Sequence, residues 1–240
     1  MPKDINELLK TKEKYKNAII QKNLKSKKNT VIYVTIKNKP RVLKWFVPGL
    51  KNNFENEYNF LIKAKNKLNI PQVYEKDELN NVLILNYIMG ENLCDIINNK
   101  ETSFSEKERL MSLLSKWYYN FHNFTKKGNE FTIHGDSNLR NFVFTDRLWG
   151  LDFEEVRKGN PSEDISDMCA SILTTDPMFT KEKFKLASIL IDRYIKLAPG
   201  RITNIKNDIS YSLLKRIQFR PDQEELLRKH SKKIKDRGLI

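Results

Sequence analysis

The pattern of hydrophobic and polar positions divides the chain into a strand-rich first part and a helix-rich second part. Short runs rich in Val, Ile, Tyr and Phe predict early strands. Apolar residues recur at helical spacing over residues 51–68, which predicts a helix there. The helix should end before Pro71, because proline cannot continue a helix. Residues 76–81 predict a turn. The predicted strands are residues 17–21, 30–36, 41–46, 73–74 and 82–85.

Beyond Gly90 the pattern predicts long amphipathic helices. Ser105 and Glu108 form an S-x-x-E capping box that predicts a helix start. A single apolar stripe follows, made of Leu110, Leu114, Trp117, Phe121 and Phe124. Residues 132–153 alternate short strand-like pieces with polar turns, and the chain is helical again from Pro161. We therefore expect an α+β protein with two lobes: a small β-rich lobe with one helix over residues 1–88, and a helical lobe over residues 89–240.

Composition excludes several classes of protein. With 240 residues, 39% of them hydrophobic, the chain is long and apolar enough for a sizeable core. We expect no membrane span, because the apolar runs are short, and no secretory signal, because the first residues lack an apolar segment. Cys94 and Cys169 have no metal-ligand spacing and fit a reducing compartment, so we expect a cytoplasmic protein.

The net charge of +14 is concentrated near the two ends of the chain. Residues 10–28 carry eight lysines and one acid, and residues 215–237 carry nine basic residues and four acids. An acidic partner, such as nucleic acid, is one explanation. The other is a lysine-rich composition with a solvated surface. We favour the second explanation, with at most weak nucleic-acid contact, because aromatic residues for base stacking are sparse in both stretches.

The stretch of the chain that indicates chemistry lies between residues 133 and 154. Asp136 and Asn141 lie five residues apart in a polar loop between apolar pieces, and Asp152 follows a second strand. Three such oxygen ligands suit Mg²⁺, which leaves its other positions to phosphates and water. A carboxylate slightly further out can orient a hydroxyl nucleophile. These are the parts that phosphoryl transfer requires.

The same residues carry a family resemblance. HGDSNLRN at 134–141 and DFE at 152–154 resemble the HGDxxxxN and DFE motifs of aminoglycoside phosphotransferase and choline-kinase-like enzymes, which share the protein-kinase-like fold. GNPSED at 159–164 is similar to the family's following motif. RVLKWF at 41–46 resembles the lysine-bearing strand, and residues 83–93 resemble the hinge segment. The similarity runs in order from about residue 17 to residue 197.

The resemblance implies a role for each motif residue. Lys44 would hold the α- and β-phosphates of ATP and pair with Glu57, although Glu55 competes for that pairing. Asp136 would orient the hydroxyl of the acceptor. Asn141 and Asp152 would bind Mg²⁺, with Mn²⁺ as the alternative ion.

Other residues would support this machinery. The backbone groups of Asn86, Tyr87 and Ile88 would meet adenine. His134 would be a scaffold residue beneath the catalytic loop, not a general base. Asp164 would tie that loop to the following helix.

Two departures from kinase patterns stand out. Residues 23–30, the equivalent of the phosphate-covering loop, contain no glycine, so nucleotide affinity is in question. Either this loop is more open, or Ser26, Asn29 and lysine charge replace the glycines. Only nine residues separate Phe153 from Glu163, which leaves no room for an activation loop.

These features favour an ATP-dependent phosphotransferase acting on a small molecule with a hydroxyl group. A compact atypical protein kinase, resembling RIO-type and KEOPS-complex kinases, is the alternative. A pseudo-kinase or nucleic-acid-associated binding module is the third candidate function. We expect acceptor choice to depend on the C-terminal helices, around Trp117, Tyr194 and Tyr211. The identities of these residues do not specify which acceptor binds.

Overall fold

The computed structural model describes residues 5–24, 26 and 28–239, and it divides the chain into two compact units. The first unit runs to Met89 and also includes Asp152–Glu155; the second comprises Gly90–Leu151 and the chain from Val156 onward. The inclusion of Asp152–Glu155 differs from the contiguous division at residue 88, which stays a prediction. Packing explains it, because the Phe153 ring stacks on Phe60 with centroids 4.6 Å apart.

The first unit is built on an antiparallel five-stranded sheet in the order β1-β2-β3-β5-β4. A two-residue turn, Lys37 and Asn38, joins β2 to β3. Both residues have positive φ, at 49° and 60°, which suits the twist of a tight hairpin. The strands are β1 (Ala18–Leu24), β2 (Thr30–Ile36), β3 (Lys39–Trp45), β4 (Val73–Asp77) and β5 (Val82–Asn86). The predicted turn at 76–81 is therefore partly strand, since β4 continues through Asp77.

One face of this sheet forms a core with α1 (Ile5–Thr11). The sequence predicts one helix in this part of the chain, so α1 is a second one. Seven residues with Ile5 and Leu8 buried are too few to give a clear helical period. Tyr15 completes this core, and its hydroxyl donates to Asp77 at 2.5 Å.

The other helix of the first unit is α2 (Lys51–Ala64), which is shorter than the predicted 51–68. It ends because Lys65 adopts an extended ψ of 130° and Asn66 has a φ of +62°. Its buried face carries aromatic and aliphatic residues together with one acid, Glu57.

The second unit contains helices α3 (Leu93–Asn98), α4 (Phe104–Thr125), α5 (Pro161–Thr174), α6 (Lys181–Leu197), α7 (Ile205–Lys215) and α8 (Glu224–Arg237). Its short strands are β6 (Glu91–Asn92), β7 (Thr132–Ile133), β8 (Phe142–Phe144), β9 (Leu148–Gly150) and β10 (Arg157–Lys158). Strands β6, β8 and β9 form one small sheet, and β7 pairs with β10. The predicted α+β class is confirmed. Within the part of the chain that the structure describes, no helix could cross a membrane.

The start of α4 corrects the predicted capping box. The N-cap is Ser103, whose hydroxyl accepts the N–H of Glu106 at 3.2 Å. The sequence contains two overlapping S-x-x-E patterns, and the helix uses the first one instead of Ser105 and Glu108. The stripe predicted from helical spacing does face the core, with Leu110 and Leu114 fully buried.

Candidate active site

Lys44 lies at the centre of a buried acidic cluster in the first unit. It is on β3 and is 5% exposed. Its ammonium contacts Glu57 Oε2 at 2.6 Å, Glu154 Oε2 at 2.9 Å, and Asp152 Oδ1. We call Lys44, Glu57, Asp152 and Glu154 the Lys44 cluster. Three carboxylates around one cation leave an excess of negative charge.

The cluster fixes the charge on Lys44. Burial opposes that charge, but the carboxylates of Glu57, Asp152 and Glu154 outweigh burial and raise the pKa of Lys44 above its ordinary value. Burial also raises the pKa of Glu57 to about 7, although Lys44 acts in the opposite direction. Lys44 is therefore a cation at neutral pH, as a residue that binds phosphates must be.

Of the two acids on α2 that could pair with Lys44, one contacts it and the other does not. Glu57 is buried, and while one oxygen contacts Lys44 the other accepts the backbone N–H of Phe153 at 3.4 Å. Glu55 instead contacts Lys76, at 3.0 Å. Residues two apart on a helix do not share a face, so only one of these acids can reach Lys44. That residue is Glu57.

Asp152 is the most accessible acid of the Lys44 cluster. Its side chain is 37% exposed, whereas that of Glu57 is 2% and that of Glu154 is 6% exposed. Its backbone has a φ of +64°, a conformation that aspartate adopts more readily than most residues. Asp152 is therefore the carboxylate of the cluster that a ligand can approach.

The β1–β2 loop is tied to the segment that follows Asp152. The Asn29 side chain donates to Glu154 Oε2, and Lys28 Nζ contacts Glu155 Oε1 at 2.5 Å. The Asn29 N–H donates to Ser26 Oγ at 3.2 Å. Residues 25 and 27 of this loop lie outside the described residues. Sequence reasoning missed Glu154 as a partner of Lys44, although its place in the DFE motif was a signal.

The predicted hinge begins at the last residue of β5. The Asn86 N–H donates to the Gln72 carbonyl at 3.1 Å, and the Tyr87 ring stacks on Tyr33 with centroids 4.2 Å apart. Tyr33 pairs with Val42, two residues before Lys44 on β3, so the side chains of Tyr33 and Lys44 lie on the same face of the sheet. Ile88 follows and is half-buried.

Asp136 and Asn141 contact each other in the second unit. Asn141 Nδ2 donates to the Asp136 carbonyl at 2.8 Å and to Asp136 Oδ2 at 3.1 Å. Asn138 Nδ2 contacts Asp136 Oδ1 at 3.2 Å. Asp136 is exposed. Residues 134–141, which we call the Asp136 loop, therefore hold a carboxylate in a fixed orientation toward solvent.

Asp164 of α5 anchors the start of the Asp136 loop. It is 1% exposed and accepts the N–H of His134 at 2.8 Å, the N–H of Gly135 at 3.2 Å and the hydroxyl of Ser137 at 2.7 Å. Burial opposes its charge, but hydrogen bonds from His122 and the loop outweigh burial and lower the pKa of Asp164. An ionised acid thus binds successive groups of the loop.

Two buried histidines extend this arrangement. His122 Nε2 lies 3.0 Å from Asp164 Oδ2, and His122 Nδ1 lies 2.8 Å from the Tyr194 hydroxyl. His134 Nε2 lies 2.9 Å from the Leu151 carbonyl. Sequence reasoning missed the link from His122 to Asp164, because 42 residues separate them and His122 lies outside the motifs that mark the site.

Two of the three residues around which we expect acceptor choice are buried. Trp117 stacks on Phe121 and is 5% exposed, and Tyr194 is fully buried. Both are core residues, and the assignment of acceptor choice to the region around them stays a prediction. Tyr211 is 65% exposed.

Several basic residues of the 215–237 stretch have partners within the fold. Lys215 contacts Asp167 at 2.9 Å, and Arg216 Nη2 donates to the Asp167 carbonyl at 3.1 Å. Arg220 donates to the Thr174 carbonyl at 2.6 Å. These side chains are engaged in structural contacts, which weakens the case for a nucleic-acid surface here.

Solved structures identify the fold as protein-kinase-like. No family model matches the chain, and no curated protein matches it in sequence. An ethanolamine kinase from Plasmodium vivax superposes with a TM-score of 0.64 at 12% identity, covering 96% of this chain and 84% of that one. A choline/ethanolamine kinase family protein from Mesorhizobium loti gives 0.61 at 13% identity, covering 91% and 90%. The ternary complex of streptomycin, ATP and the aminoglycoside phosphotransferase APH(2″)-IIa gives 0.59 at 16%, covering 87% and 86%.

Proposed function

We propose that this protein is an ATP-dependent phosphotransferase that moves the γ-phosphate of ATP to a hydroxyl group of a small molecule. The observation that carries the proposal is the buried contact between Lys44 and Glu57 beside the accessible Asp152. A buried lysine held by two buried acids, Glu57 and Glu154, next to a reachable carboxylate, suits the binding of a metal-bound polyphosphate.

The residues of each unit then take separate roles. Lys44 binds the α- and β-phosphates, and Glu57 positions it. Asp136 accepts a hydrogen bond from the acceptor hydroxyl and orients it toward the phosphate. Transfer breaks the bond between the γ-phosphorus and the bridging oxygen to the β-phosphate and forms a bond to the acceptor oxygen, whose proton leaves toward Asp136.

Asn141 and Asp152 are the proposed ligands of Mg²⁺, with Mn²⁺ as the alternative. The donor chemistry fits, since carboxylate and amide oxygens are the ligands that this hard cation prefers. Asn141 directs its Nδ2 to Asp136, so its Oδ1 is the atom left to serve as a ligand. When bound, the ion neutralises charge on the phosphates. The adenine ring would contact the backbone of Asn86, Tyr87 and Ile88.

A small-molecule acceptor is favoured over a protein. The similar structures include choline/ethanolamine kinases and a complex with streptomycin, whose names specify small molecules. Only seven residues lie between Phe153 and the start of α5 at Pro161, too few for an activation loop. The same short segment is compatible with a compact protein kinase, which stays the second candidate.

The test is a transfer assay with γ-labelled ATP and Mg²⁺, run with the protein alone and with a pool of hydroxyl-bearing metabolites. We expect label on a small molecule, and only when the pool is present. Label on the protein itself would favour the protein kinase instead. No transfer in either arm, with ATP bound, would contradict both and favour a pseudo-kinase.

A further inference from the structure

A cavity of about 620 Å³ opens in the second unit, near the C-terminal end of α4. Its walls come from three segments: residues 126 and 129–131 after α4, residues 158–161 from the end of β10 to the start of α5, and residues 199–201 after α6. Among the described residues that line it, none belongs to the Lys44 cluster or to the Asp136 loop. The cavity is therefore separate from the residues to which the proposed reaction is assigned.

The cavity wall is positively charged. Among the residues that line it, Lys126, Lys158 and Arg201 are cationic and Glu130 is the one acid, which leaves two positive charges in excess in the lining. Lys158 Nζ lies 2.8 Å from Glu130 Oε2, but the side chains are 76% and 63% exposed. Exposed ion pairs contribute little stability, so an anion can compete with Glu130 for Lys158.

An aromatic ring lies among these charges. The Arg201 guanidinium lies 4.9 Å from the centroid of the Phe131 ring, and Lys126 Nζ lies 5.4 Å from it. Arg201 is held in place by its Nη2, which donates to Asn123 Oδ1 at 2.8 Å. The cavity thus combines oriented cations with a flat apolar surface.

We propose that this cavity binds a small organic phosphate monoester that carries a ring. A phosphate monoester has a charge of about −1.5 to −2 at neutral pH, which balances the two excess positive charges. Its ring would lie against Phe131, while Lys126, Lys158 and Arg201 bind the phosphate oxygens. The volume is within the range of roughly 300–1,000 Å³ that small-molecule sites occupy.

The position of Arg201 provides an independent readout. Burial lowers the pKa of His122, and the positive charge of Arg201 contributes in the same direction. A bound phosphate would offset that charge. We therefore expect the pKa of His122 to rise when the cavity is occupied, which NMR titration of the imidazole detects.

The experiment uses the full chain and the fluorescent probe 1-naphthyl phosphate, with inorganic phosphate and 1-naphthol as half-probes. We expect the ester to bind at physiological salt at least tenfold more tightly than either half-probe. The double variant Lys126→Gln/Lys158→Gln should weaken that binding at least tenfold. Both lysines are exposed, so the fold should persist. The control Lys196→Gln/Lys232→Gln removes the same charge elsewhere and should bind as the wild type does.

Three outcomes would overturn the proposal. The first is equal binding by the wild type and the Lys126/Lys158 variant. The second is an equal loss in the control variant, which would mean nonspecific attraction to net charge. The third is loss of binding in Lys44→Gln instead, which would place the probe at the Lys44 cluster. Since the readout is binding and not turnover, failure here leaves the proposed phosphotransfer untouched.

Discussion

Lys44 and Glu57 form a buried ion pair, with the ammonium 2.6 Å from one carboxylate oxygen. The other oxygen of Glu57 accepts the N–H of Phe153, the residue that follows Asp152. One acid therefore positions both the proposed phosphate-binding cation and the backbone next to a candidate metal ligand. A substitution at Glu57 should therefore affect both the proposed phosphate binding and the proposed metal binding.

The first prediction concerns Glu57→Gln, with Glu55→Gln as its matched control on the same helix. The first variant removes one of the three carboxylates that contact Lys44 but keeps the side-chain shape. We expect phosphate transfer to fall on the order of 10²-fold, because a small displacement of reacting groups has that effect. Glu55 contacts Lys76 instead, so its variant should keep near wild-type turnover. Equal losses in the two variants would contradict the assignment of Glu57.

The second prediction concerns Asp136→Asn. The amide cannot accept the acceptor's proton, so kcat should fall by roughly 10²- to 10⁴-fold, the usual contribution of a general base. The Kd of ATP should change little, because this carboxylate is assigned to the acceptor. Asp146→Asn, which alters an exposed loop aspartate paired with Arg147, is the control. A large loss of ATP affinity with normal kcat would assign Asp136 a different role.

The Asp136 loop and its anchor Asp164 could be located from the sequence, but His122, the buried partner of Asp164, could not. The order and spacing of HGDSNLRN and DFE predict Asp136, Asn141 and Asp152 because the motif is contiguous. The contact of Asp164 with His122 joins residues far apart in sequence, and only folding brings them together. Periodicity likewise indicated α4, whereas two overlapping capping patterns made its first residue ambiguous. Helix α1 is too short to produce a periodic signal at all.

The third prediction tests Asp164 as the anchor of this loop. Asp164→Asn removes the charge from a buried network of four hydrogen bonds, and hydrogen bonds to charged groups contribute about 1.5–3 kcal/mol each. We expect the free energy of unfolding to fall by about 2–4 kcal/mol. Amide exchange at His134 and Gly135 should become faster. Asp192→Asn, on the exposed side of α6, should change neither quantity.

The fourth prediction is a dependence of stability on pH. Burial lowers the pKa of His122 below its ordinary 6.5, despite the nearby Asp164. Below that pH the unfolded chain binds a proton at His122 that the folded chain does not, so the His122 contribution to the free energy of unfolding falls as pH drops. Glu57, whose pKa is raised to about 7, contributes the opposite slope over this range, so the test compares the wild type with a His122 variant. One such group changes stability by at most about 1.4 kcal/mol per pH unit. The stabilisation from Asp164 persists to lower pH, because its pKa is lowered from 3.8.

Chemical denaturation between pH 7.5 and 5 measures this slope. His122→Phe should be less stable at every pH but should show a shallower slope than the wild type. Burial also lowers the pKa of His230. The variant His230→Gln therefore measures how much His230 contributes to the pH dependence of the free energy of unfolding. An unchanged slope in His122→Phe would mean that His122 does not titrate as its environment indicates.

The most direct test of the central claim is a titration of phosphate-transfer rate with Mg²⁺, in the wild type and in Asp152→Asn. Asparagine has the same volume and also tolerates the positive φ at this position, so the fold should persist, which the Tm checks. We predict that the wild-type rate rises to saturation with Mg²⁺ and that the variant loses most of its turnover at every concentration. A variant with unchanged turnover would contradict the assignment of Asp152 to the metal and, with it, the proposed site.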